Sequence, residues 1–185
     1  MFVRTQRLTL RPGWPEDANA LAQAIGHESV VRNLAMPPWP YPLEAAETFL
    51  AGFGNPVEPK FLVFEHRSGA VRLIGGMAVG TWKDEPNELG YWLTPGAWGH
   101  GFATEAGRAV LRAARARGVR RITAGHFIDN PASGRVLRKL GFRPTGQLVT
   151  MYSRGRGCDV ASARYEIDLS EGDCGGGDAD DRMAA

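Results

Sequence analysis

The stretch 97–106 reads AWGHGFATEA and sets Gly99 and Gly101 on either side of His100 at the mouth of a helix. Glycine is a poor helix former, so two of them at this point ask for a reason. A helix N-terminus leaves backbone N–H groups unpaired and carries partial positive charge from the helix dipole. Successive glycines let an anion approach those N–H groups without meeting a Cβ. Strand, glycine turn and helix in succession make a phosphate cradle. The bland alternative is a tight left-handed turn that needs glycine for its geometry alone. A P-loop is excluded, because the chain has no G-x-x-x-x-G-K-[ST]. A dinucleotide fingerprint fails as well. Phe102 and Ala103 follow Gly101 with no third glycine, and no acid stands between Glu105 and Asp129 to meet a ribose.

The elements around this turn follow from periodicity. TQRLTLRP (5–12) alternates, with Leu8 and Leu10 on one face, and reads as a strand. Pro15 opens a helix, PEDANALAQAIG, with acids in its first turn and Gly26 as its stop. The apolar pattern resumes after His27 through Val30, Val31 and Leu34, and breaks at PPWPYP (37–42), whose four prolines rule out helix or central strand. A second amphipathic helix follows at 43–53. FLVFEH, a Ser68-Gly69 turn and AVRLIGGMAVGTW predict a hairpin, and NELGYWLT (87–94) a further strand. Residues 102–117 form the strongest helix, with Phe102, Val110 and Leu111 toward the core and Gly118 ending it. Strand 120–128, helix 131–140 and two strand-like pieces, PTGQLVTMYS and ASARYEIDL, complete a mixed α/β domain.

With 185 residues, 43% hydrophobic and 23% charged, the chain fits one domain, 1–169. Residues 170–185 are rich in Gly and Asp and are expected to be disordered. Without them the formal charge rises from +2 to +6 (21 basic against 15 acidic residues), which favours an anionic ligand. The start lacks an apolar signal core and no run can span a bilayer, so a cytoplasmic protein without membrane partner is expected. Cys158 and Cys174 have neither metal-ligand nor disulfide spacing and receive no role; no metal site is expected. Nucleic acid is not the expected partner, since no strand face interleaves aromatic and basic residues.

ELGYWLTPGAWGHGFATEA resembles the acetyl-CoA motif of GNAT-type N-acetyltransferases, in particular the RimJ/RimL-like branch that acetylates ribosomal proteins. TQRLTLRP resembles that branch's opening strand and IDNPASGRVLRKLGF (128–142) its N-x-x-S…LGF segment, and together they cover residues 3 to 169. The resemblance implies a mostly antiparallel sheet of about seven strands flanked by about four helices. The fourth and fifth strands would splay apart to admit acetyl-CoA as co-substrate. It also implies that Trp98, Gly99, His100, Gly101, Phe102, Ala103 and Thr104 receive the pyrophosphate. Trp98 replaces the usual Gln or Arg. Glu105 is expected as a first-turn dipole partner rather than a catalyst.

The implied reaction is acyl transfer from a thioester to a primary amine, by direct attack in a ternary complex. An ammonium with a pKa of about 10.4 must first lose a proton. Leu93 and Thr94, at the end of strand 88–94, lie where the family offers backbone N–H groups to the oxyanion and pantetheine. Glu88 stands where some members keep a general base, with His126 in reserve; a solvent-facing carboxylate and a structural histidine are the plain alternatives. The leaving-group tyrosine of many members falls on Leu137. Ser133 is the branch's substitute, and Asn130 would bond the pantetheine arm; both could instead merely open the helix. Arg108, Arg112, Arg115, Arg138 and Lys139 are candidates for the ribose 3′-phosphate. Trp39, Tyr41, Trp82 and Trp92 are candidate acceptor walls, the acceptor being a protein N-terminus or a small-molecule amine and the protein a monomer or homodimer. The competing class is a non-catalytic acyl-CoA-binding or ribosome-associated module with the same fold.

Overall fold

The computed structural model describes residues 1–54, 59–67, 70–82 and 85–170; the expected Ser68-Gly69 turn and all but the first residue of the expected tail lie outside them. The strands are β1 (Val3–Arg4), β2 (Leu8–Arg11), β3 (Lys60–Arg67), β4 (Ala70–Trp82), β5 (Glu85–Leu93), β6 (Arg121–Phe127), β7 (Arg143–Ser153) and β8 (Cys158–Asp168). They form one sheet in the order β1-β2-β3-β4-β5-β6-β8-β7, antiparallel except between β5 and β6. The helices are α1 (Ala18–Ile25), the single turn α2 (Glu28–Val31), α3 (Leu43–Ala51), α4 (Phe102–Ala116) and α5 (Pro131–Lys139). This is the expected mixed sheet flanked by helices, with one more short strand and one more short helix than the periodicity predicts.

The added strand comes from a break in the first segment. Residues 5–7 leave the strand as a turn, with Thr5 N–H donating to the Leu8 carbonyl at 2.9 Å. Leu8 and Leu10 still alternate into the core.

Alternation along the strands divides the interior into two layers. On one face Leu8, Leu10, Val63, Met77, Val79, Leu89 and Leu93 pack with Phe102, Ala106, Val110 and Leu111 of α4 and Leu137 of α5. On the other, Leu62, Phe64 and Leu73 meet Leu21 of α1 and Ala46 and Leu50 of α3. The periodicity of α4 is accordingly clean, with Arg108, Arg112 and Arg115 all exposed. β5 lies between the layers. Tyr91 packs toward α4 and α5, while Trp92, next in sequence, packs toward α1 and α3.

β5 and β6 pair only at Glu88–Thr123 and Leu89–Ala124. Beyond that point the strands part, as the resemblance implies. Pro95 begins a 3-10 turn that carries the chain away from the sheet, and the opening is left between the two layers. Among the described residues no helix is long and apolar enough to cross a membrane.

Candidate active site

The parting of β5 and β6 opens a cavity of about 660 Å³ that reaches both faces of the sheet. At its α4 end lies the glycine turn. Gly99 and Gly101 have φ of +78° and +80°, a left-handed conformation that side chains rarely adopt. Geometry alone thus requires both glycines, and the turn also has room, since a Cβ on Gly99 would meet nothing within 4 Å. Glu105 N–H is the first in the helix to find a carbonyl, that of Gly101, at 3.0 Å. The N–H groups of Phe102, Ala103 and Thr104 therefore point outward from the helix end. Trp98 folds back and donates its indole N–H to the Leu93 carbonyl at 2.8 Å.

The turn is held from outside by the amino-terminal residues. Arg7 Nη1 donates to the His100 carbonyl at 3.0 Å and its guanidinium lies 4.5 Å over the Phe102 ring. Glu105 fixes Arg7 in turn. It accepts from Arg7 Nε at 2.7 Å, from Arg7 N–H at 3.0 Å and from the Thr5 hydroxyl at 2.6 Å. Burial pushes the Glu105 carboxyl up, but these hydrogen bonds and the Arg7 charge outweigh it and hold the group below its ordinary range.

Across the gap stands α5. Its Asn130 side chain accepts from Ser133 N–H at 3.3 Å, and Pro131 follows in the first helical position, where a missing N–H costs nothing. The Ser133 hydroxyl lies 2.5 Å from the Tyr91 hydroxyl of β5, and the Ser133 carbonyl lies 3.1 Å from that same phenol oxygen. Burial raises the Tyr91 phenol to about 12, despite the opposing pull of Ser133.

On the opposite face of β5, Glu88 is clasped by Arg164 of β8, with Nη1–Oε1 at 3.1 Å and Nη2–Oε2 at 2.8 Å. β6 lies between the two. Arg164 passes over it at Gly125, where a Cβ would come within 2.8 Å of the guanidinium. The hydrogen bonds Arg164 donates to Glu88 raise its pKa further, against the effect of burial. Among the described residues lining the cavity Glu88 is the only carboxylate. The rest of this end is mostly apolar, with Met36, Pro37, Tyr41, Phe49, Trp92 and Met151, and the polar residues Asn33 and Lys60 also line the cavity. The β7–β8 turn closes it from above. Ser153 Oγ donates to the Leu34 carbonyl at 3.1 Å, and Arg156 reaches Asp129, ahead of α5, at 2.7 Å.

The acetyltransferase (GNAT) domain family matches residues 7–143 of this chain. The chain belongs to the GNAT acetyltransferase family. It is also 31% identical over 166 residues, 86% of this chain and 93% of the other, to YoaA, an uncharacterized N-acetyltransferase of Bacillus subtilis (strain 168). Among solved structures, a GNAT-family acetyltransferase from Bacillus anthracis superposes with a TM-score of 0.77 at 24% identity, covering 92% of this chain and all of that one. RimL, a ribosomal L7/L12 α-N-protein acetyltransferase solved with CoA, superposes at 0.77 with 20% identity over 91% of this chain and 98% of its own. MccE, the microcin C7 self-immunity acetyltransferase solved with acetyl-CoA and AMP, gives 0.74 and 16% over 89% and 94%.

Within this GNAT domain the cavity gathers most of the residues singled out in the sequence: Glu88, Leu93, Trp98, Gly99, Gly101–Thr104, Asn130 and Ser133. Thr94 and His100 stand just outside it. Thr94 is buried, with its N–H on the Ile74 carbonyl at 2.8 Å, and His100 is exposed, its ring stacked on Phe102. Tyr41 and Trp92 line the apolar end, whereas Trp39 is 41% exposed and does not. Trp82 falls at the far end of β4, and its side chain lies outside the described residues. His126 lines the cavity on the α5 side, packed so closely on Gly134 that a Cβ there would sit 2.6 Å from Nε2. That is the face opposite Glu88, so the two candidate bases address different ends of the opening. Of the five basic candidates for the 3′-phosphate only Lys139 lines the cavity, joined by Arg135. Leu137, at the position where many members keep the leaving-group tyrosine, is fully buried. Sequence reasoning missed Tyr91, Arg164 and Arg7. Tyr91 had a signal: in a strand, neighbours Tyr91 and Trp92 must face opposite sides.

Proposed function

We propose that this chain is an acetyl-CoA-dependent N-acetyltransferase of the RimJ/RimL-like branch. It acts in the cytoplasm and moves an acetyl group to a primary amine by direct attack in a ternary complex. The observation that carries this reading is the parting of β5 and β6, which joins an open helix N-terminus on one face to an apolar chamber on the other. The fold neighbours solved with CoA or acetyl-CoA support the choice of donor.

The donor's pyrophosphate rests on the N–H groups of Phe102, Ala103 and Thr104, with Arg135 and Lys139 as cationic partners along the same arm. The Leu93 carbonyl is taken by Trp98, on the side of β5 away from β4. In an extended strand the N–H of the same residue points the same way, into the gap. It is there to meet the oxyanion as the amine attacks. The amine enters from the Tyr41 and Trp92 side. Each Glu88 oxygen accepts one hydrogen bond from Arg164 and keeps a further lone pair for the incoming ammonium, whose proton passes to it or onward to water. The C–N bond forms, the C–S bond breaks, and the charge developing on sulfur meets the Ser133 hydroxyl.

Because Arg164 neutralises the only described lining carboxylate, polycationic acceptors gain little at this wall. A single amine on an apolar group fits it better, as at a protein N-terminus.

A thermal-shift titration with acetyl-CoA, CoA, dephospho-CoA and NAD tests the donor. A ligand at 100 times its Kd stabilises the fold by about 2.7 kcal/mol. Acetyl-CoA and CoA should raise the midpoint and NAD should not. Thiol release is then followed with alanine- and serine-initiated tetrapeptides, phenethylamine, spermidine and kanamycin. A shift without thiol release from any acceptor supports the non-catalytic module instead; no shift by any CoA species sinks both.

A further inference from the structure

Ser133 and Tyr91 come from opposite walls of the gap, one from α5 and one from β5, and their hydroxyls meet at 2.5 Å on the α4–α5 face. Each hydroxyl has one proton to place. In one arrangement Ser133 donates to Tyr91, Tyr91 donates to the Ser133 carbonyl at 3.1 Å, and no proton is left for a ligand. In the other Tyr91 donates to Ser133 Oγ, the nearer acceptor. The serine proton is then free to turn into the cavity, and the hydroxyl that carries it is polarised by the bond it accepts.

We propose that Tyr91 is a positioning residue for the thiolate leaving group: it holds Ser133 Oγ as an acceptor, so that the serine hydroxyl donates to the CoA sulfur as the C–S bond breaks. This rests on the acetyltransferase reading above. No proton leaves either hydroxyl. The bonding pair of the C–S bond goes to sulfur, the thiolate accepts a hydrogen bond, and the proton released by the amine leaves on the Glu88 face. A thiolate whose thiol has an ordinary pKa of about 8.5 is too weak a base to take the proton of a phenol held near 12, so Tyr91 stays a fixed donor throughout. Leu137 is buried and carries no proton to offer, so the phenol of Tyr91, from β5, acts on the sulfur only through Ser133.

The reading predicts that the bound CoA thiol ionises more readily than the free one. CoA affinity is therefore measured from pH 6 to 9.5 for the wild type, Tyr91→Phe, Ser133→Ala, Ser133→Thr and the Tyr91→Phe/Ser133→Ala double variant. Acetyl-CoA, which has no thiol, serves as the control. The other titratable groups lining the cavity around the pair are His126 on β6, Arg135 and Lys139 on α5, and Glu88 across β5; all of them are unchanged in Tyr91→Phe, so the comparison of that variant with the wild type isolates the pair. For the wild type, CoA should gain about tenfold over acetyl-CoA as the pH rises, the equivalent of about one pKa unit. Tyr91→Phe and Ser133→Ala should each lose most of that gain, the double variant should lose no more than the worse single one, and Ser133→Thr should keep it. Acetyl-CoA affinity within about threefold of wild type shows that each variant is folded. A Tyr91→Phe variant that keeps the wild-type gain overturns the proposal and leaves the acetyltransferase reading standing. A Tyr91→Phe variant that no longer holds acetyl-CoA makes Tyr91 a strut and also overturns it. A wild type that binds neither CoA nor acetyl-CoA removes both readings together.

Discussion

Helices α4 and α5 both begin at the gap between β5 and β6, and they treat their N-termini in opposite ways. α5 closes on itself: Asn130 caps Ser133 N–H, and Pro131 contributes no N–H to satisfy. α4 stays open: Gly101 stands at the cap with φ of +80° and no side-chain bond, and the first N–H groups face out. A capped start is a stability device, worth about 1 kcal/mol. An uncapped one, kept at the edge of a cavity and buttressed by Arg7, is where the proposed function seats the pyrophosphate. Equivalent positions on the same opening thus serve different ends, and the difference lies in one side chain at each.

The comparison can be broken by turning one start into the other. Gly101→Asp sets a negative charge where the pyrophosphate would sit. Its φ of +80° strains any side chain, Asp less than most. The expected result is a rise in CoA Kd of at least about 100-fold by calorimetry, with about 1–3 kcal/mol of fold stability lost to the strained backbone. An unchanged Kd would place the anion elsewhere. The reverse change, Asn130→Ala, opens α5. It should cost about 1 kcal/mol, or a few degrees in Tm. Asn130→Asp keeps the accepting oxygen but loses the amide donor, so a weakening of CoA binding shared by both variants points to a bond from the Asn130 amide to the pantetheine arm, whereas weakening in Asn130→Asp alone reports only its added charge.

On the far side of β5, Glu88→Gln should lower kcat about tenfold while leaving CoA affinity in place. If only KM rises, Glu88 binds the amine and does not deprotonate it.

The smallest effect is expected from pH. Glu105 at the α4 start and Asp129 ahead of α5 are both held below the ordinary carboxylate range. At Asp129 the Arg156 hydrogen bond is the main cause; at Glu105 the Thr5 and Arg7 bonds overcome burial. A depressed carboxyl contributes stability that is present above its unfolded pKa and is lost as the pH falls through the folded one. Thermal midpoints should therefore be nearly flat from pH 5 to 8 and drop below about pH 4, with both helix starts loosening in hydrogen exchange. A midpoint that falls between pH 7 and 5 would point instead to a histidine.

Much of this site could be read before any coordinates, because its signals are local. The glycine spacing around His100, the run of apolar residues at helical period after Phe102, and the Asn130–Ser133 segment each fit within a few residues. What stayed hidden depends on partners far apart in the chain. Glu88 can be picked out in the sequence as a candidate base, but not its clasp by Arg164, 76 residues later and brought across Gly125. Thr5 to Arg7 look like part of a strand because Leu8 and Leu10 alternate beyond them; Glu105, 98 residues from Arg7, pulls them into a turn. Trp39 was attractive beside Tyr41, but the proline-rich segment turns only Tyr41 inward.

The grip of Arg7 on the His100 carbonyl has a practical meaning for anyone handling the protein. The first few residues are an outer brace of the ligand turn, so the amino terminus should report occupancy. Amides near Thr5 and Arg7 should exchange more slowly when the turn is filled, and a cleavable tag fused directly ahead of Met1 is placed where it can alter affinity. A tag carried at the other end, beyond β8, leaves that brace alone.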